Sequence, residues 1–378
     1  MADHPAPPML RVAIDGTPLL GRATGVGVFT SSLISALDLR TDLQLNAFAV
    51  SWRNRRQLAS VIPADIPTEQ RAMPARPLTW LWGRSSLLAI ERFVGSVDVV
   101  HGTNFSVPPA RRAGRVVTVH DLTCLRYPEM CERNSLRYPR LIERALRRGA
   151  IVHTPSTFVA DEVRSHFRAA REQVVAVHSG VPELPPPDGS SAAALLEPGK
   201  PYVLSIGTAE PRKDLPGLVR AFDALAATDS EIHLILAGPP GWGSDALNAA
   251  IAASPVKERI RLTGFVDDAT LAALLYGARV LAYPSLYEGF GFPPLQAMAA
   301  GIPVVTTRAG ALSETAGDAA LVVAPGDVDA LAEALDVAVH DEAQRSILIT
   351  AGRVRVGDFT WDKTAAGLVE VYRRARDR

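Results

Sequence analysis

The stretch Tyr283–Thr307, YPSLYEGFGFPPLQAMAAGIPVVTT, constrains the fold of this 378-residue chain more than any other. Arg279–Tyr283 (RVLAY) is a short apolar run and predicts a buried strand. Ser285–Phe292 predicts a loop holding one carboxylate, Glu288, and two glycines, Gly289 and Gly291. Pro293 and Pro294 then open a helix that runs through Leu295 and Met298 and stops at Gly301, the usual proline-first, glycine-last asymmetry. Ile302–Thr306 predicts a second buried strand. Strand, glycine loop, helix and strand form a right-handed crossover in a parallel sheet. Its loop sits at a strand's carboxyl end, where open α/β sheets bind ligands. The glycines let the backbone approach a ligand, and the helix N-terminus offers N–H groups to an anion. Glu288, when ionised, only accepts hydrogen bonds, which suits hydroxyls. Anion donors beside a hydroxyl acceptor point to a phosphorylated sugar. A plain crossover of any doubly wound fold is the bland alternative, and it leaves Glu288 and the double proline unexplained.

The stretch resembles the donor-site signature of the retaining glycosyltransferases of family 4, which have the GT-B fold. Their pattern is a Glu, seven residues and a second Glu, usually within EGFG-x-P-x-L-E-A-M-A-x-G. Here Glu288 holds the first place and Gln296 the second. The resemblance implies that the residue at 296 meets the nucleotide ribose, through an uncharged amide in this chain.

The rest of the chain extends the reading. At ~150 residues per domain the length predicts two domains. Pro182–Pro201 (PELPPPDGSSAAALLEPGKP) reads as the linker between them. The expected organisation is a Rossmann-like domain over 1–181, a linker over 182–200, a second Rossmann-like domain over 201–356 and a terminal helix over 357–378 that crosses back onto the first domain. The fold class is α/β: two doubly wound domains facing a cleft.

In the first half, strand Leu10–Ile14 is followed by a loop with Gly25 and Gly27 and a helix Val28–Leu37. The loop lacks the spacing of a dinucleotide fingerprint. By resemblance, Gly25 and Gly27 face the donor diphosphate and the acceptor; a tight helix entry is the plain alternative. Strands Val97–His101 and Arg115–Val119 each bring a histidine to a carboxyl end: His101, followed by Asn104, and His120, followed by Asp121. The resemblance gives His120 a contact to the donor sugar. His101, Asn104 and Asp121 are acceptor-side candidates, with a satisfied core histidine as the other reading of His101.

In the second half, strand Tyr202–Ile206 leads into GTAEPRKDL. This loop resembles the family's diphosphate site: Lys213 stands where the family Lys belongs. Thr208, one past Gly207, replaces the family Arg, and Arg212 is its expected substitute. A fixed cation pair neutralises a departing diphosphate, and Glu210 is their expected ion-pair partner. By the same resemblance the loop Gly264-Phe265-Val266 frames the base. Gly207, Gly264, Phe265, Val266, Gly289, Phe290, Gly291 and Gln296 complete the donor-side set around Arg212, Lys213 and Glu288.

Charge adds one constraint. Residues 1–180 hold 23 Arg and no Lys against 15 Asp and Glu, while residues 181–378 hold 17 Lys and Arg against 25. Such asymmetry suits an anionic partner for the first half, or is scatter of surface charge. A helix over Glu132–Arg148 would place Arg133, Arg137, Arg140, Arg144 and Arg147 on one face. That stripe fits an anionic lipid surface, an acceptor's phosphate, or a solvated face. Between Ser51 and Phe93, Arg53, Arg55, Arg56, Arg76 and Arg84 alternate with Trp52, Trp80 and Trp82, which reads as a membrane interface or as solvated arginines over core aromatics. No apolar run approaches the ~20 residues of a membrane span. The start MADHPAPPMLR lacks a signal peptide's character. Cys124 and Cys131 alone suit a reducing compartment. A cytoplasmic protein is expected, at the inner face of a membrane if the basic half docks there.

The resemblance implies transfer of a hexose from a nucleotide-diphosphate sugar with retained configuration, no metal and no cofactor. The PRK form of the loop resembles mannosyltransferases that use GDP-mannose. A glycan, lipid-linked or small-molecule acceptor is the expected partner, and nucleic acid is not. The alternatives are a non-catalytic sugar-nucleotide-binding protein, given Thr208 and Gln296, and a GT-B epimerase.

Overall fold

A computed structural model of the chain describes residues 9–21, 24–69, 71–74, 77–78, 81–82, 85, 88–187, 192 and 195–378. Arg76, Trp80, Arg84 and part of the 182–200 linker lie outside the described residues. The chain divides into two compact units. One comprises residues up to Arg126, Arg133–Gly180 and Thr360–Arg378; the other comprises Tyr127–Glu132 and Val181–Phe359. The division thus falls at Gly180/Val181 and Phe359/Thr360, and a short excursion of the first half belongs with the second unit.

Among the described residues, the first unit is built on a six-stranded parallel sheet: β1 (Leu10–Asp15), β2 (Leu43–Phe48), β3 (Val99–Gly102), β4 (Gly114–Thr118), β5 (Ile151–Thr154) and β6 (Val174–Ala176). Their order is β2-β1-β3-β4-β5-β6. The central strands β3 (VVHG) and β5 (IVHT) are buried along their whole length, as a parallel sheet covered by helices requires. The helix Trp361–Arg376 is capped by Thr360 and buries Leu368, Val369, Val371, Tyr372 and Ala375. It lies so close to β4 that a Cβ on Gly114 would sit 2.2 Å from Ala375 O.

The second unit repeats the plan with β7 (Tyr202–Ile206), β8 (His233–Ala237), β9 (Ile260–Gly264), β10 (Val280–Tyr283), β11 (Val304–Thr307) and β12 (Leu321–Val323). The order is β12-β11-β10-β7-β8-β9. Alternate residues face opposite sides of a pleated strand. Accordingly Leu204, Ile235, Leu281 and Val304 enter one apolar core, and Val203, Leu234, Val280 and Val305 enter the other. The order reverses between β7 and β10, which puts the topological switch point there.

Two expectations need correction here. The single helix over Glu132–Arg148 is instead a 3-10 turn at Ser135–Arg137 and an α-helix at Tyr138–Arg147. Pro139 explains this, because proline is tolerated in a helix's first turn and not in its interior. Arg133, Arg137, Arg140 and Arg147 remain exposed, and Arg144 is half-buried. The helix after β1 starts at Gly25, with Thr24 accepting a bond from Gly27 N, so Gly25 and Gly27 lie in its first turn and not in a preceding loop.

Candidate active site

The switch point of the second unit carries two loops. One follows β7 and runs from Gly207 to Asp214, whose carboxylate caps the helix Leu215–Thr228. The other follows β10 and ends at Gly291, which caps the helix Phe292–Ala299 with a φ of 98°. Leu286 N donates to Arg212 O at 2.7 Å and locks the two loops together across more than seventy residues of chain.

Within them, one carboxylate oxygen gathers four donors. Glu288 Oε1 lies 2.5 Å from Lys213 Nζ and 2.7 Å from the Arg212 guanidinium. It also accepts from Ser285 Oγ at 2.9 Å and from Tyr283 OH at 3.1 Å. Lys213 Nζ donates to Tyr283 OH as well and stands 4.4 Å from that ring's centre. Arg212 Nε reaches Glu210 Oε2 at 2.7 Å. Glu288 and Lys213 are only 6% and 8% exposed. Burial by itself would raise the Glu288 carboxyl; Arg212 and then Lys213 outweigh it and hold it at about 2. Burial lowers the Lys213 ammonium, and Glu288 works against that.

The cluster corrects the sequence reading in one respect. Glu210 was the expected counter-ion of both cations. Glu288 is instead the buried counter-ion of both, and Glu210 serves Arg212. Two residues of the cluster, Tyr283 and Ser285, went unread; their spacing of five and three residues from Glu288 was the available signal. Gly310 also went unread. Its φ is +60°, and a Cβ there would sit 2.1 Å from Glu288 O, so only glycine lets this loop pack beneath Glu288.

Gln296 lies in the helix Phe292–Ala299, is 8% exposed, and has no side-chain partner among the described residues. Gly207 follows β7 with a φ of +147°, and its alpha carbon faces the Lys213 side chain. Gly264 ends β9 at φ +69°; Phe265 beside it is exposed, and Val266 packs on the core. Gly289 and Phe290 are buried, and Thr315 Oγ1 donates to Phe290 O.

In the first unit, His120 Nε2 lies 2.8 Å from Thr103 O. A carbonyl only accepts, so Nε2 carries the proton and Nδ1 presents a lone pair. Burial lowers His120, which keeps the ring neutral. Asp121 Oδ1 accepts from Thr123 N at 3.0 Å, and Asn104 is half-buried. His101 is not an acceptor-side residue. It lies inside β3, fully buried, with Nδ1 at 2.8 Å from Tyr372 OH and Nε2 at 2.8 Å from Thr118 Oγ1. Thr118 Oγ1 continues to His153 Nδ1, whose Nε2 donates to Val177 O at 3.1 Å. His101 therefore pins the terminal helix to the sheet.

The sequence contains one Asp-x-Asp spacing, Asp327-Val328-Asp329, but Asp327 is used as a helix cap for Ala330 N. Among the described residues no three His, Cys, Asp or Glu side chains are grouped to hold an ion.

Residues 190–355 match the sequence model of the glycosyl transferases group 1, and residues 23–183 match that of glycosyltransferase family 4. The O-antigen chain mannosyltransferase B of Escherichia coli is 32% identical over 282 residues, covering 73% of this chain and 74% of that one. The MMP alpha-(1->4)-mannosyltransferase of Mycolicibacterium hassiacum is 32% identical over 59% of this chain and 53% of its own. Among solved structures, the sucrose-phosphate synthase of Thermosynechococcus elongatus superposes with a TM-score of 0.75 at 22% identity, over 96% of this chain and 98% of that one. At that identity the likeness speaks for the fold alone, and the fold is GT-B. The chain belongs to the glycosyltransferases of family 4.

Proposed function

We propose that this chain moves a mannosyl group from GDP-mannose to a glycan, lipid-linked or small-molecule acceptor, with retention and without a metal ion. The observation that carries the reading is the pair Arg212 and Lys213, held at a switch point against one buried carboxylate. Two fixed cations there match a donor's diphosphate and neutralise the charge that develops as it leaves. Their charge does the work a divalent cation would otherwise do. The preference for mannose rests on the names of the two relatives above.

In this reading the acceptor hydroxyl attacks from the face the diphosphate leaves, and a diphosphate oxygen takes its proton. Glu288 gives up part of its hold on the cations as the diphosphate arrives. Gln296, with a free amide, meets the ribose. The neutral His120 offers its Nδ1 lone pair to a sugar hydroxyl. The exposed Arg133, Arg137, Arg140 and Arg147 give the first unit a basic face suited to an anionic membrane surface, which sedimentation with phosphatidylglycerol vesicles tests.

The test of function is nucleoside diphosphate release from GDP-mannose, GDP-fucose, UDP-glucose and UDP-N-acetylglucosamine, each with and without EDTA. Fastest release from GDP-mannose, unchanged by EDTA, is expected. Thermal stabilisation by a sugar nucleotide without any turnover would favour a non-catalytic binder. Activity that returns only with Mg²⁺ or Mn²⁺ would overturn metal independence.

A further inference from the structure

A short piece of the chain's first half packs with the second unit. Tyr127–Glu132 groups with Val181–Phe359, although the chain on either side of it, through Arg126 and from Arg133, belongs to the first unit. This strap contains a 3-10 turn, Pro128–Met130, closed by Cys131 N donating to Pro128 O. Directional contacts hold it near both of its ends. The Tyr127 ring meets the Tyr287 ring edge-on, with centres 5.7 Å apart and planes at 61°. Trp242 Nε1 donates to Met130 O at 2.9 Å.

Each contact leads to one of the loops that carry the cation cluster. Tyr287 is buried and directly precedes Glu288, and its carbonyl accepts from Arg212 Nη1 at 3.4 Å. Trp242 lies between Gly241 and Gly243, and Gly243 N donates to Ala209 O at 2.8 Å. A Cβ on Gly241 would sit 2.7 Å from that same Ala209 O, so the two glycines let the backbone of Trp242 lie against the loop Gly207–Asp214. The strap therefore bridges the two loops that Leu286 N and Arg212 O already join. An edge-to-face ring pair is worth about three- to tenfold in an equilibrium constant. The indole is 44% exposed, and an exposed N–H that trades water for a carbonyl gains little stability. What such a bond fixes is direction.

We propose that the strap Tyr127–Glu132 is a positioning element of the donor site: Tyr127 acts through Tyr287, and Met130 through Trp242, to hold Arg212 and Lys213 in register with Glu288. The proposal rests on the donor-site reading above. Arg212 and Lys213 stand on one loop and Glu288 on the other, so a shift of either loop alters both ion pairs. Preorganised charge stabilises a departing diphosphate because it needs no rearrangement during the reaction. Misplacement by ~1 Å can cost about 100-fold in rate. Tyr127, Tyr287 and Trp242 are positioning residues, whose effect on the diphosphate runs through the loops.

The test uses the full chain. GDP and UDP are the probes in calorimetry, guanosine and uridine in saturation-transfer NMR, and backbone hydrogen exchange is read over residues 207–214 and 284–291. Tyr127→Ala should speed exchange over 284–291 about fivefold, the worth of the ring pair it loses. Trp242→Phe keeps a ring without the N–H and should speed exchange over 207–214. Each should weaken the nucleoside diphosphate that wild type binds by about three- to tenfold, and leave its nucleoside, which lacks the diphosphate, within about twofold. Donor turnover should fall mainly in kcat, because charge on the diphosphate develops in the transition state. Tyr127→Phe keeps the ring pair and should behave as wild type. Unchanged exchange in both loops overturns the proposal, as does unchanged diphosphate affinity in both Tyr127→Ala and Trp242→Phe. So does equal weakening of nucleoside and nucleoside diphosphate, or a Tyr127→Phe variant as impaired as Tyr127→Ala. Binding of neither nucleotide by wild type would refute the donor-site reading, and the exchange rates would then decide alone whether the strap holds the loops.

Discussion

Glu288→Gln removes one negative charge and keeps the side chain's shape. In the native site that charge faces Lys213 at 2.5 Å and Arg212 at 2.7 Å. Two unit charges ~4 Å apart are worth about 4 kcal/mol at an effective dielectric constant of about 20. Breaking a buried pair from one side costs about 3–5 kcal/mol. The acidity of the carboxyl gives a second figure: a fall from 4.5 to about 2 corresponds to about 3 kcal/mol. Because the folded value is the lower one, this stabilisation is present above pH ~4.5 and is lost as the pH falls toward about 2. At pH 7 the variant should therefore be about 3 kcal/mol less stable, a melting shift of roughly 6–12 °C for a unit of this size. The gap should shrink below pH 4. At the same time Arg212, Lys213, Glu210 and residue 288 pass from formally neutral to +1, so GDP should bind about 10–100-fold tighter and restore much of the lost stability. Scanning calorimetry at several pH values and titration with GDP measure both effects. A variant as stable as the parent, with unchanged GDP affinity, would refute the view of Glu288 as the cations' internal counter-ion.

Arg212→Ala and Lys213→Ala should each slow donor turnover by about 2–4 kcal/mol in barrier, as loss of one transition-state donor does, and steady-state kinetics with folded protein checks this. Gln296→Ala should raise the donor KM with kcat nearly kept, because the ribose does not react; Gln296→Glu should hold activity or tighten the donor, and equal loss of kcat would end this division of roles. The first unit should show two opposed pH dependences. Burial lowers His153 to about 4, so its contribution is full above ~6.5 and falls away between ~6.5 and 4; burial raises Asp15 to about 6, so its ionisation costs stability as the pH rises from ~3.8 to 6. Asp15→Asn should thus stabilise the protein at pH 8 by up to about 3 kcal/mol and leave it unchanged at pH 4, as denaturation at both pH values will show.

The parts legible in the sequence were those fixed by local pattern. Val280–Tyr283, the glycine loop and the proline-led helix announce themselves through apolar runs and backbone chemistry, and they stand where they were expected. Ser156 and Asp214, which cap the helices Thr157–Phe167 and Leu215–Thr228, are local features of the same kind, a short polar side chain just before a helical run. The pairing of Glu288 with Arg212 and Lys213 was not legible, because it depends on two loops 75 residues apart meeting through Leu286 N and Arg212 O. His101 and His120 look alike in sequence, each at the end of an apolar run. Only the strand ends separate them: β3 runs through His101, whereas β4 stops at Thr118, two residues before His120. The split of the arginine-rich helix was legible in Pro139 and was overridden by the regularity of the arginine spacing.

The most direct measurement is a crystal structure of the full chain with GDP bound. The account predicts diphosphate oxygens within hydrogen-bonding distance of both Lys213 Nζ and the Arg212 guanidinium, the ribose against Gln296, and Glu288 parted from at least one of its two cations. A diphosphate bound elsewhere, with Lys213 and Arg212 still closed on Glu288, would contradict it.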